Sequence, residues 1–302
     1  MDRVDLHQHV WTEPLLDALA ARSCPPLVRR TGGLTVLHAP GELPCVLHEA
    51  TEAPAERTRL LDLDGVDRAV VAMSSPVGIE MLAADAARGL IAAHLDGVLA
   101  LGKRFTAWGP IPIRAADPRD VDAVLARGCI GVSLPAGALG GRAAATALLP
   151  ALARVQEHGV PVFVHPGGLA AREPGLDEPL WWTGLTDYVA EMQTAWLTFV
   201  VWVRRELPQL RTVFAMLAGA APLHGERLAA RGGPALDLGD PHTFYDTSSY
   251  GPRMVGALAR VVGSARLVHG SDRPVIEPVA HGQEATLMEN SAQLLATAGA
   301  RA

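Results

Sequence analysis

Lysine is almost missing from this chain. Lys103 is the only one among 26 basic residues, and the excess of alanine and arginine reads as coding bias. Charged residues make up 19% of the sequence, the formal net charge is −6, and the arginines are scattered. Without a basic stripe, nucleic acid is not an expected partner. Cysteine is scarce as well. Cys24, Cys45 and Cys129 are odd in number, dispersed and free of any Cys-x-x-Cys spacing. They read as reduced thiols of a cytoplasmic protein, and a disulfide framework is excluded. No basic segment followed by an apolar run opens the chain, so nothing suggests export. The most apolar later stretch, Ala195 to Val203, is too short to cross a bilayer and runs into Arg204-Arg205. A membrane is not an expected partner either.

What the chain does have is apolar mass in a regular rhythm. Its 302 residues are 49% hydrophobic, enough to bury a large core, and a single domain over 1–302 is expected. After a first strand, Val4 to His9, β-rich runs recur at Val66 to Met73, Phe105 to Ile113, Cys129 to Leu134 and Val160 to His165. Leu210 to Met216, Thr243 to Ser249 and Arg266 to Gly270 complete the series. Between them lie helical patterns such as Leu185 to Leu207, with apolar residues at Leu185, Val189, Met192, Trp196, Phe199 and Val203. Alternating strand and helix, about eight times over, predicts an α/β protein with a TIM-like (β/α)8 barrel. The first connection breaks the rhythm. Leu34 to His38 and Cys45 to Glu49 flank the turn signal Ala39-Pro-Gly-Glu42, which predicts a β-hairpin flap inserted over the mouth, at about 24–49.

The chemistry sits at strand ends. In Val4-Asp5-Leu6-His7-Gln8-His9, residues two apart face the same way, so His7 and His9 project together and can bind one metal ion. His165 ends another apolar run, Val160-Pro-Val-Phe-Val-His165, and Asp272 follows a third, Arg266-Leu-Val-His-Gly-Ser-Asp272. Taken singly, His165 is also compatible with a hydrogen-bonded core residue, and Asp272 with a helix cap or a partner of Arg273. Taken together and in this order, they offer a divalent ion three imidazoles and one carboxylate at about 2.0–2.2 Å, with room for a water.

With these residues the sequence resembles the amidohydrolase superfamily. More narrowly it resembles the amidohydrolase-2 branch, which includes the aminocarboxymuconate-semialdehyde decarboxylases. The anchors are Asp5-Leu-His7-Gln-His9, Val164-His165-Pro, Gly219 to Pro222 with Glu226-Arg227, Tyr245-Asp246-Thr-Ser248-Ser249 and Gly270-Ser-Asp272-Arg-Pro274. The resemblance implies a distorted barrel holding a metal, commonly zinc, through His7, His9, His165 and Asp272. Many relatives bridge a second metal with a carbamylated lysine or a glutamate at the end of strand four. Here that strand reads Gly131-Val-Ser-Leu-Pro135, and Lys103 stands at the wrong end of a different strand, so one ion is expected, Zn2+ first and Mn2+ second.

One departure matters. The branch usually ends strand six with a histidine that exchanges protons with the substrate, and here Met216 stands in its place. A thioether neither gives nor takes a proton at neutral pH. Either Asp272 takes the water's proton, or another group such as His224 reaches in, or the pocket binds without turnover. Smaller expectations concern substrate contacts: Trp11 beside the histidine pair, Trp181 as a flat wall, Asp246 and Ser248 near the end of strand seven, and Met216 itself. Arg273 is a candidate to hold a substrate carboxylate. Asp272 and His224 are the catalytic candidates. The expected activity is hydrolysis of an amide, lactone or ester of a small organic acid, by a water whose pKa the ion lowers toward about 7. Decarboxylation of a small aromatic or unsaturated acid is the close alternative, and a catalytically silent metal- or ligand-binding homologue is the alternative of another class. A homodimer is the expected assembly.

Overall fold

Eight parallel strands carry the fold in the computed structural model, which describes residues 2–168 and 177–299. β1 (Val4–Gln8) opens the chain. Three short strands, β2 (Leu27–Thr31), β3 (Leu34–His38) and β4 (Cys45–Leu47), then form a separate sheet. The barrel resumes with β5 (Arg68–Val71), β6 (Phe105–Pro110), β7 (Gly131–Pro135) and β8 (Val162–His165). It ends with β9 (Thr212–Phe214), β10 (Thr243–Asp246) and β11 (Leu267–Val268). Neighbours pair in the order β1-β5-β6-β7-β8-β9-β10-β11, each step parallel. The ring closes between β1 and the chain running through and past β11: Leu6 N donates to His269 O at 3.0 Å, Asp272 N to His7 O at 2.8 Å, and His9 N to Arg273 O at 2.7 Å. With helices such as Glu13–Ala20, Ala84–Leu99, Arg142–Glu157 and Asp187–Thr198 between the strands, this is a (β/α)8 barrel.

Every barrel strand predicted from the sequence is present, most of them trimmed at their ends. Strands buried on both faces must be apolar almost throughout, which is why they read as continuous runs. All residues of β1, β7, β8, β9 and β10 are buried. Inside the ring, Trp108 stacks on Phe163 with ring centres 5.2 Å apart.

The insertion after β1 has one strand more than the sequence suggested. β2 pairs antiparallel with β3 across Gly32-Gly33, whose φ angles of +57° and +77° are those of a tight two-residue hairpin turn. Arg30 anchors this sheet to the first helix through Glu13 at 2.7 Å and Asp17 at 2.9 Å. The far turn reaches over the mouth. Pro40 lies against Gly78, beyond the end of β5, while the Tyr188 hydroxyl, on the helix after β8, donates to Glu42 at 2.9 Å. Among the described residues, no helix is long and apolar enough to cross a membrane.

Candidate metal centre

The register between β1 and β5 slips where the histidines begin. Asp5 pairs with Ala69 and Gln8 with Val71, so three steps on one strand face two on the other. Such a bulge re-aims side chains and frees backbone groups from the ladder. Here the His7 amide donates to its own strand's Asp5 at 3.0 Å, and the Leu6 carbonyl accepts from the Trp108 indole at 2.8 Å. His7 and His9 still point to one spot. His165 arrives at the end of β8, and Asp272 follows β11 with φ +59°, a conformation that side-chain-bearing residues rarely adopt. Gly270 lets the last segment approach: a Cβ there would lie 2.7 Å from Asp246 Cγ and 2.9 Å from His7 Cβ.

The donor atoms of His7, His9, His165 and Asp272 all lie within 4.8 Å of one another, in a buried or nearly buried cluster. His7 Nε2 is 3.1 Å from His9 Nε2 and 3.5 Å from Asp272 Oδ1, and His9 Nε2 is 3.2 Å from the same oxygen. Metal–donor bonds of about 2.1 Å in a tetrahedron put donors about 3.4 Å apart, so these spacings are those of a coordination sphere. The other ring nitrogens are already engaged. His7 Nδ1 faces Asp246 Oδ2 at 2.8 Å, His9 Nδ1 faces the Ala72 carbonyl at 2.9 Å, and His165 Nδ1 faces the Pro166 carbonyl at 2.9 Å. Each acceptor fixes its proton on Nδ1 and leaves Nε2 as a bare lone pair. The three rings stand mutually near-perpendicular, at 84–86°, with centres 4.9–5.0 Å apart. Bare nitrogens facing each other repel unless a cation lies between them, so the donor set fits a divalent ion.

The electrostatics agree. Burial opposes a charge on His7, but the carboxylates of Asp246, Asp272 and Asp5 outweigh it and push its pKa up to about 9. His165 is held well below the ordinary value by burial and by its two histidine neighbours. Burial works against ionising Asp246 too, yet His7 and Ser248 hold its carboxyl below the usual range.

The chain matches the amidohydrolase family model (Amidohydro_2) over residues 4–302. It belongs to the amidohydrolase family. No curated protein sequence matches it. Among solved structures, the fold is similar to apo IDCase of Metarhizium anisopliae (18% identity, TM-score 0.71, 99% of this chain and 92% of that one). It is also similar to the manganese-bound 5-carboxyvanillate decarboxylase of Novosphingobium aromaticivorans (16%, TM-score 0.67, 98% and 94%). A third is 2,6-dihydroxybenzoate decarboxylase from Rhizobium (14%, TM-score 0.65, 99% and 100%).

Around the amidohydrolase donors, the remaining residues singled out from the sequence fall into two groups. Asp246, Ser248 and Met216 form one network behind His7: Asp246 Oδ1 accepts the Ser248 amide at 2.9 Å, its hydroxyl at 2.5 Å and the Met216 amide at 3.2 Å. Trp11, half-buried, lines a small cavity with His9, Ser74 and His94. The others lie apart. Trp181 is 59% exposed and tilts against Trp182, and His224 is exposed at the end of the turn that begins with Met216. Arg273 turns its guanidinium to Asp64, which raises its pKa further, and to Glu277 at 3.0 Å. Its fork is filled by structural ion pairs, and it serves the site through its backbone carbonyl. Lys103 precedes β6, at the end of the barrel opposite the donors.

Several participants carried no readable signal. Ala72 acts through its carbonyl, and Tyr188 and Glu42 meet only in the fold. Glu191 accepts the Gly167 amide at 2.6 Å, just past His165. Gln8 was in view as the middle of the His-x-His motif, but its partners lie elsewhere in the chain.

Proposed function

We propose that this amidohydrolase is a metal-dependent, non-oxidative decarboxylase of a small aromatic or unsaturated carboxylic acid. The observation that carries the reading is the convergence of three bare imidazole nitrogens and a carboxylate oxygen at the carboxyl end of the barrel. The fold shared with 5-carboxyvanillate and 2,6-dihydroxybenzoate decarboxylases supports it. A divalent ion held there supplies a Lewis acid for the carboxylate region of the substrate. Imidazole-rich coordination suits zinc, and the manganese of the Novosphingobium enzyme makes that ion the second candidate. Loss of CO2 leaves an electron pair on the substrate carbon, which must then take up a proton.

Hydrolysis, the first expectation from the sequence, makes a different demand: a base beside the attacking water. Met216 is not one, and His224 is exposed, which leaves Asp272 to hold the ion and take the proton together. Decarboxylation does not need that base, and so fits this site better.

The test strips the protein with a chelator, reloads it with Zn2+ or Mn2+, and offers hydroxybenzoic and unsaturated acids beside lactones and amides. CO2 release by the loaded protein alone is the expected result. Cleavage of lactones or amides without CO2 release would establish the hydrolase instead. Full metal occupancy with no turnover of either set would make it a silent binding homologue.

A further inference from the structure

The ligands of this centre come from opposite ends of the sequence, His7 and His9 from β1 and Asp272 from beyond β11. Their spacing has to be fixed to a few tenths of an ångström, and one carboxylate oxygen touches both segments. Asp5 Oδ1 accepts the amide of His7 at 3.0 Å and that of Ser271 at 3.1 Å. Its other oxygen accepts Gln8 Nε2 at 2.8 Å, and Gln8 Oε1 accepts Arg57 Nη2 at 2.7 Å. Asp5, Gln8 and Arg57 are 0%, 1% and 0% exposed.

We infer that Gln8 and Arg57 are positioning residues of the metal centre, holding Asp5 where it sets the distance between the histidine pair and Asp272. The inference rests on reading the cluster as a metal site.

A primary amide is the side chain that accepts from a guanidinium with one atom while donating to a carboxylate with the other. Position 8 needs both, and this fixes which way the amide points. A glutamate of the same shape would still accept from Arg57, but would set a second carboxylate against Asp5. Arg57 is an expensive neighbour. Nε and Nη1 have no hydrogen-bond partner, and burial lowers its proton affinity, against the pull of Glu52 and Asp5. Buried ionic groups of this kind contribute little to stability compared with apolar residues of similar volume. Their position, directly behind the donor atoms, gives them a use that stability does not.

Gln8→Glu in the full chain is the test. Thermal unfolding of the chelator-stripped protein scores the fold. Zn2+ affinity, by competition with a chromophoric chelator, and the visible absorption of the Co2+-loaded protein score the centre. Metal-free Tm should stay within a few degrees of the parent, while Zn2+ affinity drops about 10–100-fold and the Co2+ bands shift. Arg57→Lys keeps charge and part of the reach, and should lose less affinity than Gln8→Glu. Parent-like affinity and spectrum in Gln8→Glu would overturn the inference. Should that variant not fold, parent-like affinity and spectrum in Arg57→Lys would overturn it equally. A parent that binds neither Zn2+ nor Co2+ would overturn the metal centre itself, and this inference with it.

Discussion

The Nδ1 atom of His7 stands 2.8 Å from Oδ2 of Asp246, with the two side chains 1% and 0% exposed. The carboxylate fixes the ring's tautomer and turns Nε2 toward the other donors. Its second oxygen is spent on Ser248 and Met216, so it cannot swing away from the histidine. A buried carboxylate held from two sides orients one ligand and makes that ligand more basic.

Asp246→Asn keeps the shape and removes the charge. An amide placed there either offers an N–H to His7 or gives up its contacts with Ser248 and Met216. Metal affinity is expected to fall about 10–100-fold, read by chelator competition. Unchanged affinity would mean that the His7 tautomer is set by something else.

Much of this centre was readable beforehand because covalent spacing and strand geometry speak locally. His7 and His9 are two residues apart on a strand, and His165 and Asp272 each follow an apolar run, so their convergence follows from strands closing into a ring. What stayed hidden depends on contacts across the sequence. Arg273 looked free to bind a substrate, but its partner Asp64 lies 209 positions away. Strand β2 was missed because Arg29-Arg30-Thr31 is exposed, although Gly32-Gly33 was a turn signal in plain view. Nothing in Met216-Leu-Ala-Gly-Ala220 announces a left-handed turn, yet φ runs from +50° to +61° across all five residues. Such a backbone costs roughly 1–2 kcal/mol at each non-glycine position, which only tertiary packing offsets.

His94 is buried, and neither ring nitrogen has a partner. Burial, with a smaller contribution from His9, lowers its pKa to about 3. In the unfolded chain it binds a proton near 6.5, so between pH 6.5 and 3 the unfolded state holds more protons and stability falls as pH falls. His94→Leu removes this slope. It is expected to raise Tm at pH 7 and to widen its advantage over the parent as the pH drops through that window. Parallel acid-unfolding curves for the two proteins would refute the assignment.

The hydroxyl of Tyr188 holds the flap at Glu42, far from the Arg30 anchor at the flap's base. Tyr188→Phe deletes one hydrogen bond at a half-buried site, a loss of about 1 kcal/mol. Global Tm should change by only a few degrees, whereas limited proteolysis in the turn at 39–44 should speed up severalfold. Equal cleavage rates in variant and parent would show that the apolar contacts of the flap hold it unaided.

Met216→His restores the side chain that the amidohydrolase-2 branch usually carries at the end of this strand. The backbone there tolerates it. At φ +51° the position lies in the left-handed region, where histidine is several-fold enriched over most residues, and the amide bond to Asp246 does not depend on the side chain. A neutral imidazole beside the metal centre can take a proton from water and pass it on, which the thioether cannot. Ester and lactone hydrolysis by the metal-loaded variant should therefore rise by about 10²-fold, the lower end of what a general base contributes. Release of CO2 from hydroxybenzoic acids, which needs no base beside an attacking water, should change much less. Steady-state kcat on both substrate sets, with metal content and Tm checked against the parent, reads the outcome. A variant that folds, holds its metal and hydrolyses no faster than the parent would show that Met216 is not what keeps this barrel from hydrolysis.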